Sequence, residues 1–108
     1  MHELAIAESV VSSVLGRTEG HVSVVRLRVG RLAGVVPDAL TFCFEVATAG
    51  TTLEGARLEI EEQQGRAHCR TCDEEFVLDD SILLCSCGSA DVEVVSGRDL
   101  SLVWVEVA

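Results

Sequence analysis

The 108-residue sequence contains no lysine and a single proline, and it has no apolar run of the ~20 residues that a membrane-spanning helix needs. Without lysine, lysine-based catalysis is excluded. The N-terminus also lacks a basic segment followed by a long apolar run, so we expect no secretory signal. We therefore expect a cytoplasmic protein without membrane association.

Acidic side chains outnumber basic ones, with 18 Asp and Glu against 8 Arg, so the net charge is −10. Such a chain repels phosphate backbones, and nucleic-acid binding is not expected. Apolar residues make up 48% of the sequence, which is enough for a core and too much for a disordered chain. The length favours one domain, with room for a small subdomain.

Hydrophobic periodicity predicts two helices. The first covers residues 3–16, with an apolar face at helical spacing (Leu4, Ala7, Val11, Val14 and Leu15). The second starts at Pro37, the only proline, which is favourable as the first residue of a helix. Its apolar stripe consists of Leu40, Cys43, Phe44 and Ala47.

Three segments alternate apolar and polar residues and are therefore predicted to be strands: residues 22–29, 57–62 and 99–107. In the first, Val25, Leu27 and Val29 share one face, opposite Arg26 and Arg28. In the second, the predicted inward side chains are Leu58 and Ile60, and the outward ones are Arg57, Glu59 and Glu61. Trp104, in the third strand, is either part of an exposed patch used by a partner or a core residue, and core packing is the more common fate of a tryptophan.

Four of the 5 cysteines lie in one segment, as Cys69-x2-Cys72 and Cys85-x-Cys87. Two thiols in one turn can hold an ion, and a second pair completes a tetrahedral four-thiolate shell, which suits zinc best. Residues 74–78 and 82–84, between the two cysteine pairs, have the alternating pattern of two strands and are predicted to form a hairpin, the usual frame of a zinc ribbon. A metal is expected here because so short a segment cannot form its own core. The second turn is one residue shorter than usual, and we expect strain there.

Other chemistries use similar cysteines. Cys69 and Cys72 alone would suit a redox dithiol, and four thiolates also hold iron–sulfur centres. Four cysteines in register favour a zinc ion over both. His68 either replaces a thiolate or is an exposed loop residue. Cys43, on the second helix, is expected to be a small buried apolar residue.

The chain begins Met1-His2-Glu3 and continues directly into the first predicted helix. A terminal amine, deprotonated amides and an imidazole form a nitrogen chelate that suits square-planar Ni(II) or Cu(II). An early histidine is also common as an exposed residue at a frayed chain end. The Glu3 carboxylate either orients a metal or a partner, or is simply a favourable acid in the first helical turn.

Residues 1–9, MHELAIAES, resemble the opening of the hydrogenase maturation nickel chaperones, the HypA/HybF family. The resemblance continues through residues 29–35 (VGRLAGV), the Pro37 helix, both cysteine pairs with Gly88-Ser89, and residues 105–107. It therefore covers essentially the whole chain.

The resemblance implies two metals. Ni(II), as transient cargo, would be bound by the His2 side chain, the Met1 amine, and the backbone nitrogens of His2 and Glu3. Structural Zn(II) would be held by the four clustered cysteines, Cys69, Cys72, Cys85 and Cys87. Nickel binding would displace protons and therefore weaken as the pH falls through the histidine range.

The expected fold is α+β, with two helices packed on a small, mainly antiparallel three-stranded sheet and an inserted zinc-ribbon subdomain. The nickel-binding domain would comprise residues 1–67 and 96–108, and the ribbon residues 68–95. The implied partners are a HypB-type nickel GTPase and the precursor of a [NiFe]-hydrogenase large subunit. The chain would be a monomer or a homodimer.

The resemblance thus predicts a nickel metallochaperone that delivers Ni(II) during hydrogenase maturation. No Ser/His/Asp set, phosphate-binding glycine loop or open three-ligand zinc site is visible, so we do not expect an enzyme. The alternative is a zinc-ribbon adaptor for protein interactions, without nickel transfer. Metal stoichiometry separates the two, since the chaperone binds zinc and nickel and the adaptor zinc alone.

Overall fold

The structure, a computed structural model, describes residues 2–78, 80 and 82–108. Within these ranges the elements are α1 Glu3–Leu15, β1 Val22–Gly30, α2 Pro37–Thr48, β2 Arg57–Gln63, β3 Gly65–Cys69, β4 Glu75–Leu78, β5 Val92–Ser96 and β6 Leu100–Val107. The strands form two sheets of three, ordered β2-β1-β6 and β4-β3-β5. The predicted α+β class is confirmed. No helix in the described ranges is long and apolar enough to cross a membrane.

The first sheet is centred on β1, which pairs in parallel with β2 and antiparallel with β6. The parallel pair needs a crossover connection, which α2 provides. On the inner face of β1, Val25 and Leu27 are fully buried, and both helices cover them. The alternation of β1 places Arg26 and Arg28 on the opposite face, so the predicted faces of this strand are confirmed.

Ion pairs on the outer face of this sheet follow the register of β1 and β2. Arg26 lies beside Glu59, with Nη1 3.0 Å from Oε1, and Arg28 lies beside Glu61, with Nε 2.7 Å from Oε2. Exposed pairs of this kind contribute only ~0–1 kcal/mol each. The pairs instead favour one register of β1 against β2, because a shift of one residue would place apolar side chains such as Leu58 and Ile60 opposite these arginines.

Trp104 lies on the same outer face, opposite Arg26, and is 42% exposed. Of the two alternatives for Trp104, core packing, the more common one, is therefore wrong. The cause is a shift of register in β6: Leu102 pairs with Leu27, but Trp104 pairs with Arg26. Strict alternation from Leu102 would point Trp104 inward. The irregularity reverses the faces, so that Val105 packs against the core instead.

Helix α1 buries a slightly different face from the predicted one. Ala7, Val11 and Val14 are buried as expected, but Leu4 and Leu15 are 46% and 40% exposed. Glu3 and Val10 are buried in their place. The buried face is centred near Ala7, and at ~100° of rotation per residue Leu4 and Leu15 both lie on its flank.

The second sheet has β3 at its centre, paired antiparallel with β4 and β5. The predicted hairpin is correct for β4, but residues 82–84 form no strand. The Asp80 carboxylate accepts a hydrogen bond from the Ile82 N–H at 2.9 Å, a local turn that competes with strand pairing. The strand that pairs with β4 is β3, which precedes the first cysteine turn. A further strand, β5, lies between the second cysteine turn and β6 and pairs with the other edge of β3.

Three glycines, Gly30, Gly65 and Gly97, form the junction between the two sheets. A Cβ on Gly30 would collide with the Gly97 carbonyl, and a Cβ on Gly97 would lie 2.5 Å from the Gly65 Cα. The Gly97 carbonyl also accepts a hydrogen bond from the Leu32 N–H at 2.8 Å. Only residues without side chains permit this approach. The junction places the sheets end to end in a molecule of 52 × 21 × 17 Å.

Candidate metal centre

The first cysteine turn follows β3. The Cys69 N–H donates to the Glu74 carbonyl at 2.8 Å, and the Asp73 N–H donates back to the Cys69 carbonyl at 2.9 Å. Asp73 has a left-handed backbone, with φ of 64°, a conformation that Asp and Asn tolerate better than most residues. The Cys72 N–H points at the Cys69 sulfur at 3.5 Å. The turn therefore presents both sulfur atoms on one side.

The second turn, before β5, repeats this pattern with one residue fewer. The Cys85 N–H donates to the Ser89 carbonyl and the Gly88 N–H donates to the Cys85 carbonyl, both at 2.9 Å. Gly88 takes the left-handed position, with φ of 92°, which glycine adopts without steric cost. The strain expected for the short Cys85-x-Cys87 spacing is absent from this hydrogen-bonding pattern, because a glycine follows the second cysteine.

Hydrogen bonds also join the two turns. The hydroxyl groups of Thr71 and Ser89 lie 2.8 Å apart, and the Arg70 N–H donates to the Asp91 carbonyl at 3.0 Å. These contacts place the turns face to face, which brings the four sulfur ligands close together.

All four Sγ atoms lie within 4.8 Å of one another. The Cys69–Cys87 and Cys72–Cys85 sulfur pairs are each 3.7 Å apart. A tetrahedral ion with metal–sulfur bonds of ~2.3 Å, the zinc value, places its sulfurs ~3.8 Å apart. An iron–sulfur cluster would separate its cysteine sulfurs by the width of the cluster. The arrangement fits a single four-thiolate ion, and zinc suits that donor set.

The thiols of Cys69 and Cys72 differ in pKa because backbone N–H groups and the neighbouring sulfurs act on each of them differently. The Cys72 N–H, as the largest influence, lowers the pKa of the Cys69 thiol to about 6. For Cys72 the Glu74 N–H favours ionisation, but burial and the surrounding thiols outweigh it and raise the pKa to about 12. The Cys69 thiolate is thus stabilised, whereas the Cys72 thiol ionises near neutral pH only when a cation is bound beside it.

We expect the affinity of this site for zinc to fall as the pH falls from ~8 to ~6, by about tenfold per pH unit for each proton displaced. The Cys72 thiol, with a pKa of about 12 in the metal-free protein, carries a proton across this range that the ion must displace. Competition with a chromophoric zinc chelator at several pH values measures the slope. A Cys43→Ser control should give the same slope, and an affinity independent of pH would contradict the assignment.

His68, the other candidate ligand, and the fifth cysteine, Cys43, both lie apart from the sulfur cluster. The His68 ring forms a 2.7 Å contact between Nε2 and the Asp73 carboxylate, and the four-group cluster does not include it. This pair braces the first turn from outside. Cys43 is half-buried and packs against the core of the first sheet, in line with its interpretation as a small apolar residue.

At the other end of the chain, His2 is exposed and immediately precedes α1. Its backbone has φ of 44° and ψ of 23°, and its carbonyl accepts the first helical hydrogen bond, from Ile6, at 3.0 Å. A left-handed backbone at a non-glycine residue costs ~1–2 kcal/mol. The chain therefore turns sharply at His2 instead of extending the helix. The predicted ligand Met1 lies outside the described residues.

Glu3 points inward and is only 8% exposed. Its carboxylate accepts a hydrogen bond from the Val36 N–H at 3.2 Å, which ties the start of α1 to the residue before Pro37. Nothing in the sequence indicates this contact, because an acidic residue in the first turn of a helix is normally exposed. The structure thus separates His2, which faces solvent, from the Glu3 side chain, which anchors the terminus.

The fold and the compact sulfur site define an α+β protein with a four-cysteine metal site, and comparison with known proteins identifies the family. A family model described as "Hydrogenase/urease nickel incorporation, metallochaperone, hypA" matches residues 1–107. The chain belongs to the HypA family of nickel metallochaperones for hydrogenase maturation, which confirms the resemblance found in the sequence.

Individual relatives agree with this assignment. The chain is 48% identical to a hydrogenase maturation factor HypA of Streptomyces avermitilis, over 97% of this chain and 86% of the relative. It is 41% identical to a HypA of a Nostoc species, over 99% and 96%. The fold is similar to the solution structure of the Ni metallochaperone HypA from Helicobacter pylori, with a TM-score of 0.67 and 18% identity, covering 99% of this chain and 97% of that one.

Proposed function

We propose that this protein binds Ni(II) at its N-terminus and delivers it during the maturation of a [NiFe]-hydrogenase. The observation that carries the proposal is the family match over residues 1–107, combined with an exposed His2 directly before α1. The proposed ligands are the Met1 amine, the His2 imidazole, and the backbone nitrogens of His2 and Glu3. Glu3 contributes a second time by anchoring this segment to Val36.

Transfer requires that nickel is bound firmly enough to be carried and weakly enough to be released. A short chelate on an exposed chain end meets both needs, because a recipient with more ligands can take the ion directly. Cu(II) would bind the same nitrogen set more tightly, so selectivity depends on metal supply and geometry. The proposed partners are a HypB-type GTPase and the precursor of the hydrogenase large subunit. The proposed location is the cytoplasm, and the chain would act as a monomer or a homodimer.

For the second site we propose a structural role. Cys69, Cys72, Cys85 and Cys87 would hold zinc, which would supply four bonds that fix the two turns. With all four positions filled by thiolates, no position remains for substrate. The proposed division of the chain is a nickel-binding domain of residues 1–67 and 96–108 and a zinc ribbon of residues 68–95, with no catalytic centre in either.

The nickel site is tested by His2→Ala and by a variant with one extra residue ahead of Met1. The first variant removes the imidazole ligand, and the second displaces the terminal amine. We therefore expect the nickel affinity, measured by calorimetry, to fall ~100-fold or more in each. His21→Ala is the matched control, since His21 is also exposed but precedes β1. Unchanged nickel affinity in both test variants would show that the site lies elsewhere.

A further inference from the structure

A groove of about 420 Å³ lies between α1 and the start of β6. Ala5, Ile6 and Val10 form its helical wall, Val35 lies in the loop before α2, and Leu100 forms the strand side. Ile6, Val35 and Leu100 also pack against the hydrophobic core. The floor is therefore fixed by the fold and apolar, and its volume lies within the range of known ligand pockets, ~300–1,000 Å³.

One cationic side chain, Arg98, lines this groove. In the described ranges six of the 8 arginines form ion pairs, and Arg17 and Arg98 are the two that do not. An arginine without an ion-pair partner is notable in a chain of net charge −10, where acidic partners are abundant. A guanidinium offers a planar set of donors that matches a carboxylate.

The groove also lies close to the proposed nickel ligands. Ile6, in its helical wall, donates a backbone hydrogen bond to the His2 carbonyl at 3.0 Å. A chain bound at this end of the groove would therefore lie close to His2. This proximity connects the groove with nickel transfer.

We propose that the groove docks an extended segment of the nickel recipient, with an apolar side chain on Ile6 and Leu100 and an Asp or Glu carboxylate on Arg98. The identity of the occupant as the recipient rests on the proposed function. An internal acidic residue fits better than a chain terminus, because a terminal carboxylate is usually held by several backbone N–H groups, and the groove offers a single arginine side chain.

The test uses two probe peptides and the full-length, zinc-loaded protein without nickel. The peptides are acetyl-Leu-Leu-Glu-Leu-amide and its Gln counterpart, which has the same shape without the charge. Titration followed by ¹H–¹⁵N NMR should show saturable shifts at Ile6, Val35 and Leu100. We expect the Glu peptide to bind about tenfold more tightly than the Gln peptide, since hydrogen bonds to charged groups are the stronger ones.

Variants locate the interaction. Arg98→Gln should reduce binding of the Glu peptide to the level of the Gln peptide. Arg17→Gln, which removes the other arginine without an ion pair, should leave it unchanged. Ser9→Trp, at the exposed rim of the groove, should block both peptides, whereas Ser12→Trp on the same helix should not.

Equal binding of the two peptides, equal losses in Arg98→Gln and Arg17→Gln, or the absence of saturable shifts in the groove would overturn the proposal. Because the titration contains no nickel, its failure is distinct from failure of the nickel site. If the peptide binds in the groove but the protein does not bind nickel, the docking groove is supported and the proposed nickel delivery is contradicted.

Discussion

Cys85→Ser is expected to reduce zinc affinity by more than ~100-fold, beyond the loss typical of outer-shell mutations, and to unfold the second sheet. Between Gly65 and Ser96, within the described part of the chain, the buried apolar residues are only Ala67, Cys69, Leu78 and Cys85. Two of these four are proposed zinc ligands. So small a core cannot balance the conformational entropy of the segment, and the metal bonds must provide the difference.

Two measurements test this prediction: zinc content by mass spectrometry, and hydrogen exchange of the backbone amides in β3, β4 and β5. In Cys85→Ser the amides of the second sheet should lose protection, while those of β1 should keep it. Cys43→Ser is the matched control, because it removes a thiol from helix α2, which packs against the core of the first sheet. Full zinc content together with a protected second sheet in Cys85→Ser would contradict a structural four-cysteine site.

Gly30→Ala should destabilise the protein by ~3 kcal/mol or more, at the upper end of overpacking effects. The new Cβ would collide with the backbone of Gly97 and lie 2.8 Å from the Arg98 nitrogen. A backbone on the far side of the junction cannot move aside as a side chain can. Relief would require Gly97 to move away from the end of β1, where the Gly30 N–H donates to the Asp99 carbonyl at 2.8 Å.

Gly16→Ala is the control for this substitution. Gly16 has an ordinary backbone, with φ of −73°, and its Cβ would lie 3.5 Å from its nearest neighbour. Its effect should stay within ~1 kcal/mol, because the substitution then acts mainly on the entropy of the unfolded chain. Urea denaturation of both variants provides the comparison. Equal stabilities would show that the junction is not closely packed.

The sequence was sufficient to predict the elements whose periodicity is set by burial on one face. β1, with Val25 and Leu27 opposite Arg26, and α2, with Leu40 and Phe44, have the predicted faces. Trp104 could not be placed, because a shift of strand register is a property of pairing and not of the strand alone. The strand β3 escaped notice because Gly65 and Ala67 carry little hydrophobic signal, although Ala67 is fully buried.

For the candidate sites, spacing alone was enough to group the four cysteines, because two short turns on neighbouring strands bring their sulfurs together. The compensation for the shorter second turn depends on Gly88 and its left-handed backbone, which only the structure shows. The contact between Glu3 and Val36 joins residues 33 positions apart. The groove with Arg98 likewise combines two distant segments, and no local pattern in the sequence indicates it.

The central claim is that one chain carries two metals at two separate sites. Metal analysis combined with nickel titration, on untagged protein whose native N-terminus is verified by mass, tests it most directly. We predict one tightly bound zinc and one more weakly bound nickel per chain, with nickel lost when a residue precedes Met1. Zinc alone, with no nickel bound at the native N-terminus, would contradict the account and favour a zinc-ribbon adaptor.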